Sequence, residues 1–446
     1  MTENHDRFKN LIQDVLNEAR RAGATDAAAE VSESQGLSVT VRQGSLETVE
    51  QTRDRSLDIT LYVGQSRGSA STSDFSPAAM RDTVSAAFHI ARHTAEDPMA
   101  GLPDAEHLML EPAPDLQLHH RWMLDTEQAT ALALRAEQAA CQHDKRISNS
   151  DGASVSTYEG HFVMGNTRGF LNGFPYSRHS ISASPIAGKG DKMQRDDWYT
   201  SDRNPGKLLA PETVGEIAAQ RTLARLGAKR IKTGRFPVLY EAPVAGSVLG
   251  ALTQALSGGA LYRQASFLMD SLGRQILPDH IDVFEDPFIL GGQGSSPYDD
   301  EGVRTRSRHV IERGCVQGYF LSTYTARKLG MVTTGNAGGS HNLLLSSSRT
   351  QANDDLPAML KKMGTGLLIT ELIGQGVNFV TGDYSRGAFG FWVENGEIQH
   401  AVEEITVAGN LRDMFMNLVA VGADTLTRGT RTTGSILIEG MSIAGN

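Results

Sequence analysis

The order helix, short alternating strands, helix occurs twice in the first half of this 446-residue chain, and that recurrence limits the fold more than any single motif does. Residues 6–22 place Phe8, Leu11, Ile12, Val15, Leu16 and Ala19 at helical spacing, with Gly23 as the stop. Alternating segments follow at 28–34, 37–42, 46–52, 56–63 and 67–73, separated by Gly36, Gly44 and Gly64, which is the pattern of a β-meander. A helix over 77–94, with Met80, Val84, Phe88 and Ala91 on one face, closes the unit. Beyond a connection carrying Pro98, Pro103, Pro112 and Pro114 the order returns: a helix at 125–143 capped by Asp125, short strands across 146–199, and a helix at 211–227 between Pro211 and Gly227. The repeated order suggests a duplicated α/β unit.

From residue 235 the texture changes to strands and glycine-rich loops. Val310–Ile311, the turn Glu312-Arg313-Gly314 and Val316–Leu321 read as a hairpin. Phe389–Val393, Asn395-Gly396 and Glu397–Val402 read as a second one, because Asn-Gly supplies the positive φ of a type I′ turn. Helices are expected at 323–330, 354–363 and 410–421. The fold class is therefore α+β, with two N-terminal α/β units over 1–100 and 101–230 and an antiparallel-sheet-rich C-terminal domain over 231–446.

Charge and cysteine content exclude several classes of function. Lysine and arginine number 42 against 52 acidic residues, a net charge of −10, which argues against a nucleic-acid or anionic-membrane surface as partner. Cys141 and Cys315 are too few for a disulfide framework and lack C-x-x-C spacing, which suits a reducing compartment. The polar N-terminus MTENHDRFKN has no apolar segment of a signal peptide, and no run of about 18 apolar residues occurs. A cytoplasmic location is expected.

Isolated motifs carry little chemistry. Gly64-Gln65-Ser66-Arg67-Gly68 matches the G-x-S-x-G of a nucleophilic elbow, but both flanks are strand-like and the required helix is missing. His89 and His93 share the i, i+4 spacing of a metal pair, with isoleucine at position 90 where a zinc protease keeps glutamate, so a solvated pair is expected. His119-His120 reads as surface, Asp299-Asp300-Glu301 as an acidic surface loop, and Cys315 as a buried structural thiol. The segments GGQGSS (291–296) and TGNAGGSH (334–341) match no nucleotide fingerprint and read as turns where a peptide backbone could approach closely.

The stretch 236–277 holds a short strand and an apolar helical run from about Gly246 to Leu256, ended by Gly258-Gly259. The segment GLLITELIGQGVNFVTGDYSRGAFGFWVENGEI (366–398), together with SGGALYRQASFLMDSLGRQIL (257–277), YDDEGVRTR (298–306) and TTGSILIEGMSIAGN (432–446), strongly resembles the TldD/PmbA family, on its PmbA or TldE branch, over essentially the whole chain. That resemblance implies a cytoplasmic TldD/TldE metalloprotease acting on unfolded peptides, associated with peptide-antibiotic maturation, antitoxin degradation and gyrase modulation. The catalytic TldD type carries an H-E-x-x-x-H helix and a late cysteine. By alignment those residues fall on Leu249, Gly250, Gln254 and the neighbourhood of 430–433, and no cysteine follows Cys315.

Leucine and glycine cannot ligate zinc and glutamine is a poor ligand. The resemblance therefore implies no catalytic or metal residue and no cofactor in this chain, with zinc expected on a TldD-type catalytic partner. An unfolded peptide is the implied substrate, held by strand addition to a sheet edge. Tyr262, Arg263 and Ser266, and Asp383, Tyr384 and Ser385, are candidate peptide or partner contacts. Two alternatives stay open: a regulatory peptide- or protein-binding homodimer without protease activity, and an autonomous hydrolase using another site such as His89 and His93.

Overall fold

A strand buried on one face alternates inward and outward residues, and the first strand, 17 residues long, does so at each of its two ends. The computed structural model describes residues 2–445, with side chains from residue 5 onward. Helix α1 (Thr2–Ala22) leads into β1 (Asp26–Arg42), β2 (Ser45–Val63), β3 (Ser66–Thr72) and α2 (Pro77–His93). Then come α3 (Thr126–Gln142), β4 (Ile147–Asn166), β5 (Leu171–Ala187), β6 (Gln194–Arg195), β7 (Trp198–Asp202) and α4 (Pro211–Ala224). All seven strands belong to one sheet, in the order β3-β2-β1-β4-β5-β6 with β7 also on β5.

The meander expected from the sequence is thus replaced by fewer, longer strands. Gly36 does not break β1, because it pairs with Thr52 on one side and Tyr158 on the other. Five of the inward residues of β1 share odd numbers and hence one face. Ala27, Ala29 and Val31 pack under α1 and α2, while Val39 and Val41 pack under α3 and α4. The two helix pairs therefore lie on the same face of a shared sheet, at opposite ends of strands roughly 55 Å long.

The C-terminal part comprises β8 (Gly234–Tyr240), α5 (Ala242–Ala255), α6 (Gly258–Tyr262), β9 (Ile281–Asp286), β10 (Arg308–Glu312), β11 (Cys315–Val316) and α7 (Thr323–Lys328). It continues with β12 (Asn342–Ser347), α8 (Leu356–Met363), β13 (Gly366–Ile373), β14 (Asp383–Glu394), β15 (Glu397–Asn410) and α9 (Leu411–Met416). Strands β16 (Leu418–Val421), β17 (Leu426–Arg428), β18 (Arg431–Thr433) and β19 (Ile436–Ala444) end the chain. One sheet runs β11-β10-β9-β12-β18-β17; in the other, β15-β14-β13-β8-β19 closes into a ring because β15 also pairs with β19. The chain is α+β with a sheet-rich C-terminal region.

Four sequence expectations change here. Gly258-Gly259 does not end the apolar helix; α5 stops at Ala255, and Ser257 caps a second short helix by accepting from the Ala260 amide. The expected helix 410–421 ends at Met416, since residues 418–421 pair with β19. The expected strand 316–321 stops at Val316, and only Phe320 makes a further bridge, to Ser257. The helix expected to run to 227 ends at Ala224. The Asn395-Gly396 turn has the positive φ values, 52° and 78°, that its type requires.

No helix among the described residues is long and apolar enough to cross a membrane. Gly68, in β3, meets the backbone of α2 so closely that an added Cβ would overlap the Ala87 carbonyl oxygen and the Ala91 nitrogen. Gly68→Ala should therefore destabilise the protein by about 1–3 kcal/mol, the usual cost of overpacking. Chemical denaturation checks this; an unchanged midpoint would mean that α2 does not rest on that glycine.

Candidate functional site

Helix α5 forms because Pro243 occupies its first turn and the residues that follow are mostly alanine, leucine and valine. Its two interior glycines cost about 1 kcal/mol each relative to alanine, so their retention needs a reason. Both face Arg431. A Cβ on Gly246 would lie 3.8 Å from the Arg431 Cβ, and one on Gly250 would lie 2.9 Å from the Arg431 Cζ. Gly250 is thus the point of α5 against which the Arg431 guanidinium lies, while Gly246 is in ordinary contact with the base of the same side chain.

The three positions singled out on this helix do not converge. Leu249 is buried in the C-terminal core, Gly250 meets Arg431, and Gln254 is exposed to solvent. Among the described residues no group of three or more His, Cys, Asp or Glu side chains is placed to hold a metal.

Arg431 belongs to a cleft of about 410 Å³ between the two halves of the chain, walled by Asp196, Asp197, Trp198, Tyr199 and Arg221 on one side and by the start of α5, Thr370, Glu371, Arg386 and Arg428 on the other. Two guanidiniums in this region are matched. Arg221 lies 3.0 Å from Glu241 and 3.3 Å from Asp196, and Arg225, just behind it, lies 2.6 Å from Glu371. Arg428 donates to the Tyr199 carbonyl at 2.9 Å and stacks 3.9 Å over the Tyr199 ring and 4.5 Å over that of Trp198. Arg386, Arg428 and Arg431 have no carboxylate within ion-pair distance among the described residues. Trp198 Nε1, Thr370 Oγ1, Arg386 Nε and Arg431 Nε are buried without a hydrogen-bond partner, an uncommon concentration for one region. Burial lowers both Arg428 and Arg431 from the ordinary arginine value.

None of the six candidate contact residues lines this cleft. Ser266 is a correction: it is buried, donates to the Ala255 carbonyl at 2.6 Å and accepts from the Leu268 amide, so it serves its own loop. Tyr384 is likewise buried, 3.5 Å from the Tyr240 hydroxyl. Arg263 and Ser385 are exposed, and Tyr262 is half-buried with its ring edge-on to Tyr324. Asp383 is exposed and lowered by hydrogen bonds from Thr381 and Asn410. The two segments do meet, through the Phe267 amide donating to the Phe379 carbonyl at 2.7 Å.

Arg386 directly follows the candidate contact Ser385, and neither Arg428 nor Arg431 is among the residues expected at the site. A signal existed: TRGTRTTG (427–434) puts two arginines where the resemblance places the late ligand, in a chain of net negative charge.

Other motifs resolve into structure. Ser66 is buried and donates to the Thr94 carbonyl, and His89 and His93 are exposed on α2. His119 is not at the surface as expected but half-buried, 3.0 Å from Glu159; Cys315 is half-buried rather than buried. Asp299 is no surface residue either. It is 4% exposed and accepts from the amides of Glu301, Val303 and Ala337, which ties its own turn to the segment TGNAGGSH. Burial, followed by the charge of Glu301, raises its carboxyl to about 7. Glu285, 1% exposed, accepts from the His341 ring and backbone amide, from Asn336 and from Arg308.

The pattern that defines the PmbA/TldA metallopeptidase C-terminal domain matches residues 233–445; those of the central domain and of domain 1 match 119–226 and 27–91. The chain is 48% identical to metalloprotease PmbA of Escherichia coli O157:H7, over 98% of this chain and 97% of that one. It is 47% identical to a metalloprotease PmbA homolog of Haemophilus influenzae, over 98% and 96%. Among solved structures, a proposed modulator of DNA gyrase from Bacteroides thetaiotaomicron superposes with a TM-score of 0.92 at 26% identity, covering 99% of both chains. TldE from Thermococcus kodakarensis shares the fold, with a TM-score of 0.84 at 20% identity over 98% of this chain and all of that one.

Burial alone would raise Glu285, but the His341 hydrogen bond and the Arg308 charge outweigh it and hold the carboxyl at about 2. A depressed carboxyl stabilises the fold above its ordinary value of 4.5 and loses that contribution as pH falls toward 2. Glu285→Gln leaves Arg308 without its counter-charge and should cost about 3 kcal/mol or more at pH 7. The difference from the parent should shrink as pH falls from 4.5 toward 3; denaturation curves at both ends test it, and a pH-independent difference would contradict the assignment.

Proposed function

The chain belongs to the PmbA/TldD metallopeptidase family, on its PmbA/TldE branch, and from that premise we propose that it is the accessory subunit of a TldD/TldE-like cytoplasmic metalloprotease that trims and matures unfolded peptides. In this reading the zinc and its catalytic base reside on a TldD-type partner. This chain completes the chamber in which the peptide is held.

The observation that carries the reading is at α5. Zinc takes nitrogen, sulfur or carboxylate ligands and needs a proton acceptor beside its water. The side chains here do not fit that ion: Leu249 is turned into the core, Gly250 has no side chain, and Gln254 faces solvent. Beside Gly250 stands the Arg431 guanidinium, a fixed positive charge that would repel a divalent cation. A chain of this family whose α5 offers no metal ligand beside an arginine-lined cleft suits a subunit that binds rather than cleaves. Strand β17 supports a holding role, since it is the last strand of its sheet and its Arg428 lines the cleft, where main-chain pairing could engage a peptide without regard to sequence.

Mixing the purified chain with a TldD-type subunit should give a complex that survives gel filtration, as interfaces burying more than about 2,000 Å² do, and should raise peptide cleavage well above that of either subunit alone. Replacing the partner's catalytic glutamate should abolish cleavage and leave the complex intact. Gln254→Ala in this chain should leave cleavage within about twofold, as surface changes usually do. Leu249→Ala is a poorer test, because truncating a core leucine costs about 2–5 kcal/mol by itself. No complex at micromolar concentration and no gain in cleavage would discard the accessory reading in favour of a binding protein acting alone.

A further inference from the structure

The cleft beside α5 holds more positive charge than its own carboxylates neutralise. Four guanidiniums, those of Arg221, Arg386, Arg428 and Arg431, line it, against the carboxylates of Asp196, Asp197 and Glu371. Asp196 is taken by Arg221 and Glu371 by Arg225. That leaves three arginines facing Asp197 alone. Arg428 is oriented by the Tyr199 carbonyl and by two aromatic rings, and Arg386 and Arg431 each keep a buried Nε that no described group satisfies. A guanidinium carries five N–H donors in a planar fork that fits a carboxylate through two parallel bonds. A cavity of about 410 Å³ is large enough to admit the end of a peptide.

We propose that this cleft is a carboxylate-binding site, in which Arg386, Arg428 and Arg431 receive one carboxylate of a peptide. A monoanion brings the cleft nearer to neutrality and gives unpaired donors an acceptor. A phosphate dianion fits less well, because Asp196 and Asp197 line the same cavity and would repel the second charge. The carboxylate comes either from a peptide's C-terminus or from an aspartate or glutamate within it. The Arg431 guanidinium lies in the space that Gly250 of α5 leaves open, since a Cβ there would stand 2.9 Å from its Cζ. The proposal deepens the peptide-holding reading above, and its test separates the two.

The measurement is anisotropy of a rhodamine-labelled alanine-glycine decapeptide titrated with the full chain at low salt. Three probes are compared: a free C-terminus, an amidated C-terminus, and an amidated peptide with one internal glutamate. The free-carboxylate probe should bind about tenfold more tightly than the amidated one, as expected for a charge-assisted hydrogen-bonded pair. Arg431→Gln and Arg386→Gln should each erase most of that difference, in variants whose thermal unfolding stays cooperative. Recovery of tight binding by the glutamate probe assigns the site to side-chain carboxylates; failure to recover assigns it to the C-terminus. The probe comparison uses the unaltered chain, so it stands even where a variant does not fold. Free and amidated probes binding within twofold of each other would overturn the proposal, as would displacement of the free-carboxylate probe by inorganic phosphate at lower concentration than by acetate. Equal binding combined with complex formation by a TldD-type subunit leaves the accessory reading intact, whereas a carboxylate preference without any complex removes that reading and keeps the site.

Discussion

A cleft between two halves of a chain exists only if the halves are locked together, and here the lock is Tyr298. Its ring is buried against Phe170 and Phe174, at 5.0 and 5.7 Å between centroids, in a cluster that also gathers Leu108 and the outer face of β4. Arg203, from the N-terminal half and 9% exposed, spends its guanidinium on the carbonyls of Gly292 and Gln293 at 3.0 and 2.8 Å. Arg327 reaches back to the Leu102 carbonyl at 2.8 Å. Aromatic pairs and charge-assisted bonds to backbone are directional, so they set where Trp198 and Arg221 stand relative to α5. The same face of β4 could not take this contact if the two helix pairs were not both confined to the other face.

Within that frame the glycine-rich loops are held by buried carboxylates rather than left free. Glu285 anchors the loop that ends at His341, and Asp299 gathers three amides from two loops. These carboxylates are already saturated by protein donors. Of the nine buried side-chain atoms without a hydrogen-bond partner among the described residues, five belong to residues that line the cleft, Trp198, Arg221, Thr370, Arg386 and Arg431, and it is this concentration that marks the cleft as the place for a ligand.

The helices and the strongest hairpin were legible in the sequence because their signals are local: helical spacing from Phe8 to Ala19, the Asp125 cap, the Asn395-Gly396 turn. The long strands were not, because Gly36 reads as a break in sequence and is overridden by pairing on both sides. The helix expected over 410–421 failed for a related reason: Leu418 to Val421 are recruited by β19, a partner distant in sequence. The metal-helix positions were found through resemblance, which also pointed to the neighbourhood of 430–433 where Arg431 stands. Arg386, Arg428 and Arg431 come from three separate strands, and no local spacing connects Arg386 to the other two in one cleft. Asp299 looked like a surface acid because its three amide partners are set by the tertiary fold.

The account rests on α5 being a surface for holding rather than for cleaving. Elemental analysis of the isolated, chelator-free chain tests that most directly. The account predicts well under one zinc per chain and no cleavage of unfolded peptides; about one tightly bound zinc per chain, lost together with peptidase activity on chelation and restored with it on adding the metal back, would contradict it.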